Sequence, residues 1–139
     1  MGNRRKGRIL AFQALFAWDA AKDREAAKES LLDFSWEEEP EHGNPDFSRL
    51  LFAGTVENIE SIDSTVRRHL DNWDFSRLNR VDRALLRLGV YEMLYNNTPP
   101  SILIDEAVGI AKEYGTDDSY RFINGVLDGI RKSMQEEAE

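Results

Sequence analysis

The chain contains no cysteine. That absence excludes a disulfide framework, a thiolate-ligated zinc, an iron–sulfur site and a thiol nucleophile. It fits a reducing, cytoplasmic setting. Imidazole is scarce too: His42 and His69 are the two histidines, far apart in the chain, and make a poor case for a metal centre. No apolar run approaches the ~20 residues that span a bilayer. A basic start followed by Ile9–Trp18 has the outline of a secretory leader, but Gln13 interrupts it and its spacing is that of an amphipathic helix. Strand-like alternation is hard to find. So are enzyme motifs: there is no phosphate-cradling glycine loop, no two-histidine zinc helix and no serine-centred nucleophile elbow. Asp105–Glu106 and Asp117–Asp118 pair carboxylates, but at expected helix starts, where capping accounts for them better than acid–base chemistry. The reading is of a protein without catalysis or cofactor.

What is present is helical periodicity. Apolar residues recur at three- and four-residue steps almost throughout. Ile9, Phe12, Leu15, Phe16 and Trp18 line a first helix. Arg24 to about Phe34 forms a second, with Leu31, Leu32 and Phe34 apolar. Residues 37–45 read as an acidic, turn-rich loop, and between Asp23 and Asp46 nine acids face two bases. One long third helix starts near Pro45 or Asp46 and carries Phe47, Leu50, Leu51, Gly54, Ile62, Val66 and Leu70. The segment 72–76 breaks the pattern. A fourth helix follows through Leu78, Val81, Leu85, Leu88, Tyr91 and Leu94, apolar enough to lie centrally. Asn96–Pro100 is a strong break. The fifth runs from Ser101 to Tyr114, with Gly115 as its C-terminal cap. The sixth begins at Asp117 or Asp118, and its Gly125 and Gly129 permit close approach of another helix. The tail after Ser133 is acidic and expected to fray. The expected fold is all-α, with residues 1–134 as one helical domain and 135–139 as an acidic tail.

Charge is distributed unevenly. The first eighteen residues hold Arg4, Arg5, Lys6 and Arg8 and no acid; removing those four from the 18 basic residues leaves 14 against 26 acidic, so residues 19–139 carry −12. Cations in the first turns of a helix oppose its dipole by about 0.3–1 kcal/mol each and repel one another. Phosphates would reverse both penalties and take up the free helix-end amides. Three readings stand at this point: a frayed basic end that aids solubility, a membrane-surface helix, and a contact for single-stranded RNA, whose splayed bases suit arginines and aromatics. The overall acidity argues against the membrane.

Arg4-Arg5-Lys6-Gly7-Arg8 followed by Ala11-Phe12-Gln13-Ala14-Leu15-Phe16 resembles the opening of the NusB family of bacterial transcription antitermination factors. The resemblance continues through Phe52–Asn58 and Ile62-Asp63, then Leu78–Leu88 with Tyr91–Leu94. It is strongest in Asp105–Val108, Ala111–Gly115, Asp118-Ser119 and Phe122–Asp128. The blocks occur in order and span nearly the whole chain. The resemblance implies about six to seven helices arranged as two small helical bundles packed together. It implies joint binding, with the small-subunit ribosomal protein NusE, to the single-stranded boxA element of ribosomal RNA leader transcripts. It further implies read-through of terminators by RNA polymerase, with other antitermination factors in the complex. By the same resemblance Arg4, Arg5, Lys6, Arg8, His69, Lys112, Tyr114, Asp118, Arg121, Phe122 and Asn124 are RNA-binding. Asp82, Trp73 and Arg77 face the ribosomal protein. Against these roles stand simpler ones: Phe122 as core, Asn124 as a helix bridge, Lys112 and Arg121 as solvated residues, and Asp82 as a surface charge beside Arg83. Two alternative functions are a domain related to that of ribosomal RNA cytosine methyltransferases and a homodimerising scaffold.

Overall fold

The computed structural model describes residues 3–34, 45–71 and 73–138. The acidic loop expected at 37–41, with His42, lies outside them. The described residues form seven α-helices and one short 3-10 turn, with no strand among them. They fall into two compact units, residues 1–57 and 58–139.

The first unit holds α1 (Asn3–Ala20), α2 (Arg24–Leu32) and α3 (Pro45–Glu57). Ile9, Leu10, Phe12, Leu15 and Trp18 of α1 are buried, as are Phe47, Leu51 and Phe52 of α3. Phe16 and Leu50, expected on the apolar faces, are instead exposed. Close approach of α1 to α3 is permitted by Gly7, where an added Cβ would sit 2.7 Å from the Phe47 ring. The Ser48 hydroxyl donates to the Gly7 carbonyl across 3.0 Å. Asp23 caps α2 by accepting from the Ala26 amide at 3.1 Å. At the other end of α2, Arg49 donates to the Leu32 carbonyl at 2.9 Å. Phe34 is not helical: it takes φ 54° just past the end of α2. Its ring is buried, edge-on to Phe52 at 6.4 Å, which offsets the cost of a left-handed aromatic residue.

The second unit holds α4 (Ile59–Arg68), the 3-10 turn Phe75–Arg77, α5 (Arg80–Tyr95), α6 (Pro100–Tyr114) and α7 (Ser119–Ala138). The single long helix expected from Pro45 is thus two, divided at Asn58, whose φ −112° and ψ 23° leave the helical range. Asn competes poorly for helix interiors because its amide favours turns and caps. Leu51, Thr55, Ile62 and Val66 keep one helical phase across the break, which is why periodicity hides it. Helix α5 is buried along nearly its whole length. It approaches α7 where Gly89 faces Leu127, whose Cδ atoms would lie 3.0 Å from an added Cβ. Gly125, by contrast, opens onto empty space, so it does not serve helix packing as expected. Gly115 does follow α6, but with φ −94°, outside the left-handed region. It is small because a Cβ there would meet Ser119 at 2.6 Å and the Ala111 carbonyl at 2.8 Å. Helix α7 continues to Ala138 rather than fraying after Ser133. Arg131, which also donates to Asp128, bonds Gln135 at 3.1 Å and so ties that last stretch to the preceding turn.

One buried ion pair crosses the second unit. Arg87 on α5 donates to both oxygens of Asp63 on α4, at 2.8 and 2.9 Å. Removing one member leaves a buried charge without its partner. Asp63→Ala is expected to lower the unfolding free energy by about 3–5 kcal/mol, whereas Asp63→Leu with Arg87→Met should cost far less. Urea titrations of the two variants check this. In the first unit Arg8 is buried while Arg4 is exposed. Arg8→Ala should therefore lose about 1–3 kcal/mol and Arg4→Ala no more than about 1 kcal/mol, read by the same titration.

Candidate nucleic-acid interface

The basic N-terminus is not a free tail. Arg4, Arg5, Lys6 and Arg8 all lie in α1. Arg4 is exposed and stands over the Phe47 ring at 4.3 Å from its centroid. Arg5 and Lys6 are half-buried. Arg8 is 6% exposed and lies 5.5 Å from the same ring. Of the four cations expected to bind phosphate, Arg8 is thus the one the fold buries in its own unit.

In the second unit, five of the expected residues line one cleft of about 360 Å³: Trp73, Arg77, Asp82, Asp118 and Phe122. Their positions follow from local chemistry. Asn79 caps α5, accepting from the Asp82 amide at 2.8 Å and donating its own amide to Asp82 Oδ2 at 3.1 Å. This reciprocal cap draws Asp82 inward. It is 7% exposed, so the reading of a surface charge beside Arg83 fails. Its Oδ1 is buried without a hydrogen-bond partner. Asp74 organises the 3-10 turn. The Ser76 backbone N–H and hydroxyl both donate to it, at 3.0 and 2.9 Å, and hold its carboxyl below the usual range. Phe75, buried in that turn, carries three guanidinium groups over its ring: Arg67 at 4.5 Å, Arg87 at 5.3 Å and Arg83 at 5.7 Å. Trp73, just before the turn, is 60% exposed and meets the Phe122 ring at 5.7 Å with a 58° tilt. Phe122 is half-buried, neither core nor free. Ser119 closes the cleft's edge by accepting from the Thr116 amide at 2.9 Å.

Beside the cleft residues on α7, Lys112 and Arg121 gather around a ring that sequence reasoning missed. Tyr120 takes Lys112 of α6 at 5.1 Å and Arg121 at 5.2 Å from its ring centroid. Lys112 and Arg121 are exposed and the ring is half-buried between them. The adjacency of Tyr120 and Arg121 was a usable signal; the contact with Lys112 required the fold. Asp118 is exposed and only 3.9 Å from Arg121, a weak pair. Asn124 is exposed, so its amide is open to solvent rather than buried between helices. Tyr114 is 40% exposed, and partial burial pushes its phenol up from the ordinary value. His69 lies elsewhere. Its Nδ1 is 2.9 Å from the Thr65 carbonyl and its Nε2 2.9 Å from the Ser133 hydroxyl, so the ring ties α4 to α7. With both nitrogens engaged, only a ring face is left for stacking.

The cleft and the Tyr120 cluster combine exposed aromatic surface, cations and hydrogen-bonding groups without a nucleophile–base pair. Among the described residues no group of three or more acidic or imidazole side chains is placed to hold a metal. No helix among them is long and apolar enough to cross a membrane.

Comparison with known proteins agrees in kind. Residues 5–132 match the model of the NusB family. The transcription antitermination protein NusB of Treponema pallidum (strain Nichols) is 54% identical over 134 residues, covering 94% of this chain and 93% of that protein. A crystal form of T. maritima NusB superposes with a TM-score of 0.77 at 38% identity, covering 94% of this chain and 92% of that one. A chain from the crystal structure of the antitermination factors NusB and NusE in complex with double-stranded RNA gives a TM-score of 0.77 at 29% identity, covering 96% of this chain and 99% of that one. With its sequence matched almost end to end and its helices superposing on those of solved relatives, this chain belongs to the NusB family.

Proposed function

We propose that the protein is a non-catalytic antitermination factor that binds the boxA element of ribosomal RNA leader transcripts as a single strand, jointly with ribosomal protein NusE. The observation that carries this reading is Lys112 and Arg121 flanking Tyr120, next in the chain to Asp118 and Phe122 of the aromatic cleft. Cations supply phosphate contact, and aromatic faces take unstacked bases. The names of the relatives support it, as does the solved assembly of NusB with NusE and RNA. That assembly holds a duplex, whereas exposed Trp73 suits splayed bases, which a duplex does not offer. Through this complex the protein would act on RNA polymerase in the cytoplasm, with other antitermination factors.

Asp82, Trp73 and Arg77 serve NusE in the family reading, and the cleft sets them beside Asp118 and Phe122. The two partners would therefore meet at adjoining surfaces of the second unit, which favours joint over independent binding.

The deciding experiment measures binding to boxA single strands, scrambled strands and the boxA duplex, with and without NusE. Cooperative binding to the boxA strand alone is expected. Equal binding to boxA and scrambled strands would falsify the assignment. For Arg4, Arg5 and Lys6 together, log affinity against log salt should lose a slope of about 2 when all three become Ala. An unchanged slope removes the N-terminal cations from the RNA contact. Asp118→Asn takes a negative charge from an exposed position beside Arg121, and is expected to raise RNA affinity about two- to fivefold at low salt. Affinity that stays level or falls counts against that placement.

A further inference from the structure

We propose that the ring contact between Trp73 and Phe122 couples the protein's two partners, so that NusE seated on Trp73 fixes Phe122 for the RNA. The inference rests on the joint binding proposed above and names the contact through which one partner strengthens the other. In that reading Trp73 serves NusE and Phe122 serves RNA. In the structure the two rings touch, with centroids 5.7 Å apart and a tilt of 58°. Both present surface. Trp73 is 60% exposed, an uncovered aromatic side chain of the kind that anchors protein interfaces. Phe122 is half-buried and follows Tyr120 and Arg121 of the cationic cluster in the chain.

The backbones that carry the rings are fixed without either partner. Asp74, next to Trp73, accepts from the Ser76 amide and hydroxyl at 3.0 and 2.9 Å, and Phe75 is buried against Arg67 and Arg83. On the other side the Ser119 hydroxyl accepts from the Thr116 amide at 2.9 Å, and the Phe122 amide donates to the Asp118 carbonyl at 3.2 Å. What remains to be ordered is the rotamers of the two rings. A side chain more than half in water loses rotamer freedom when a partner covers it. With Trp73 held, the ring that leans on it has fewer positions. Part of the ordering that RNA requires of Phe122 is then complete before RNA arrives. The effect is a binding free energy and is therefore reciprocal: RNA on Phe122 raises affinity for NusE by the same factor. Trp73 is thus a contact for NusE and a positioning residue for RNA.

The test uses the full chain. Affinity for the boxA strand is measured without NusE and at NusE concentrations that saturate each variant; the ratio of the two is the coupling factor. A wild-type factor of about tenfold is expected, with the same factor for NusE measured with and without saturating RNA. Trp73→Leu and Phe122→Leu keep apolar bulk and remove the ring pair. Each should bring the factor below about threefold, and the double variant should fall no further than either single one. Trp73→Phe keeps a ring at that position and should hold the factor near the wild-type value. A side chain that only touches its partner would weaken that one affinity and leave the factor alone. Trp73→Leu with weaker NusE binding and an unchanged factor therefore overturns the proposal. So does a Trp73→Phe factor as low as that of Trp73→Leu, or losses that multiply in the double variant. Trp73 is exposed, so its variants decide the matter even if Phe122→Leu fails to fold. A wild type that binds both partners with a factor near one overturns the coupling while leaving both binding activities in place. A chain that binds neither the boxA strand nor NusE overturns the function proposed above.

Discussion

The buried contact between Asp63 and Arg87 is the constraint on which the second unit's site depends. Taking both ions out of water is costly, and the attraction between them offsets that cost only in good geometry. Here the geometry is bidentate, at 2.8 and 2.9 Å. The pair fixes α4 against α5, and it also orients the Arg87 guanidinium over Phe75. Phe75 anchors the 3-10 turn, whose flanks are Trp73 on one side and Leu78 on the other. From Leu78 the chain passes directly into the Asn79–Asp82 cap of α5. The position of the cleft's aromatic wall and of its buried carboxylate are thus both set from the interior. Arg67 and Arg83 add two more cations around the same ring. A ring in contact with three guanidinium groups has few other positions open to it.

Charge in this protein is divided between the interior and the surface. Arg8 and Arg87 are interior cations, each beside an aromatic ring. Arg4, Lys112 and Arg121 are exposed, and each of them also lies over a ring. The exposed group gains little stability from such contacts in water. What the contacts do is limit the rotamers of long side chains, which would lower the entropy lost in the proposed RNA binding. The dipole penalty at the start of α1 remains for Arg4, Arg5 and Lys6. It is tolerated because Phe47 and the Gly7–Ser48 contact hold that first turn in place.

Much of the fold was legible. The breaks at 72–76 and 96–100 and the central placement of α5 follow from punctuation and apolar density. The division at Asn58 was not, because Leu51, Thr55, Ile62 and Val66 stay in phase across it. Nor was the exposure of Phe16 and Leu50, since hydrophobic character does not report which neighbour is present. Gly125 and Gly115 carry the same lesson in opposite directions. One was expected to admit a helix and faces open space; the other caps α6 as expected, but in extended backbone, and makes room for Ser119. In the site, single residues were legible and their groupings were not. Tyr120 was overlooked because its importance comes from Lys112, a residue on another helix. The burial of Asp82 was not legible because nothing in the local sequence tells how deeply it is drawn in beside Asn79.

The sequence by itself determined the helical class, the basic start against an acidic remainder, the absence of thiol chemistry, and the family resemblance. These rest on composition, local periodicity and ordered motifs, which act over a few residues at a time. The tertiary structure decided which cations remain outside, which aromatic faces are open, and that Trp73, Arg77, Asp82, Asp118 and Phe122 share one cleft. Those facts depend on burial. Whether a charged or aromatic side chain keeps its water is settled by segments tens of residues away, and helical spacing carries no record of them.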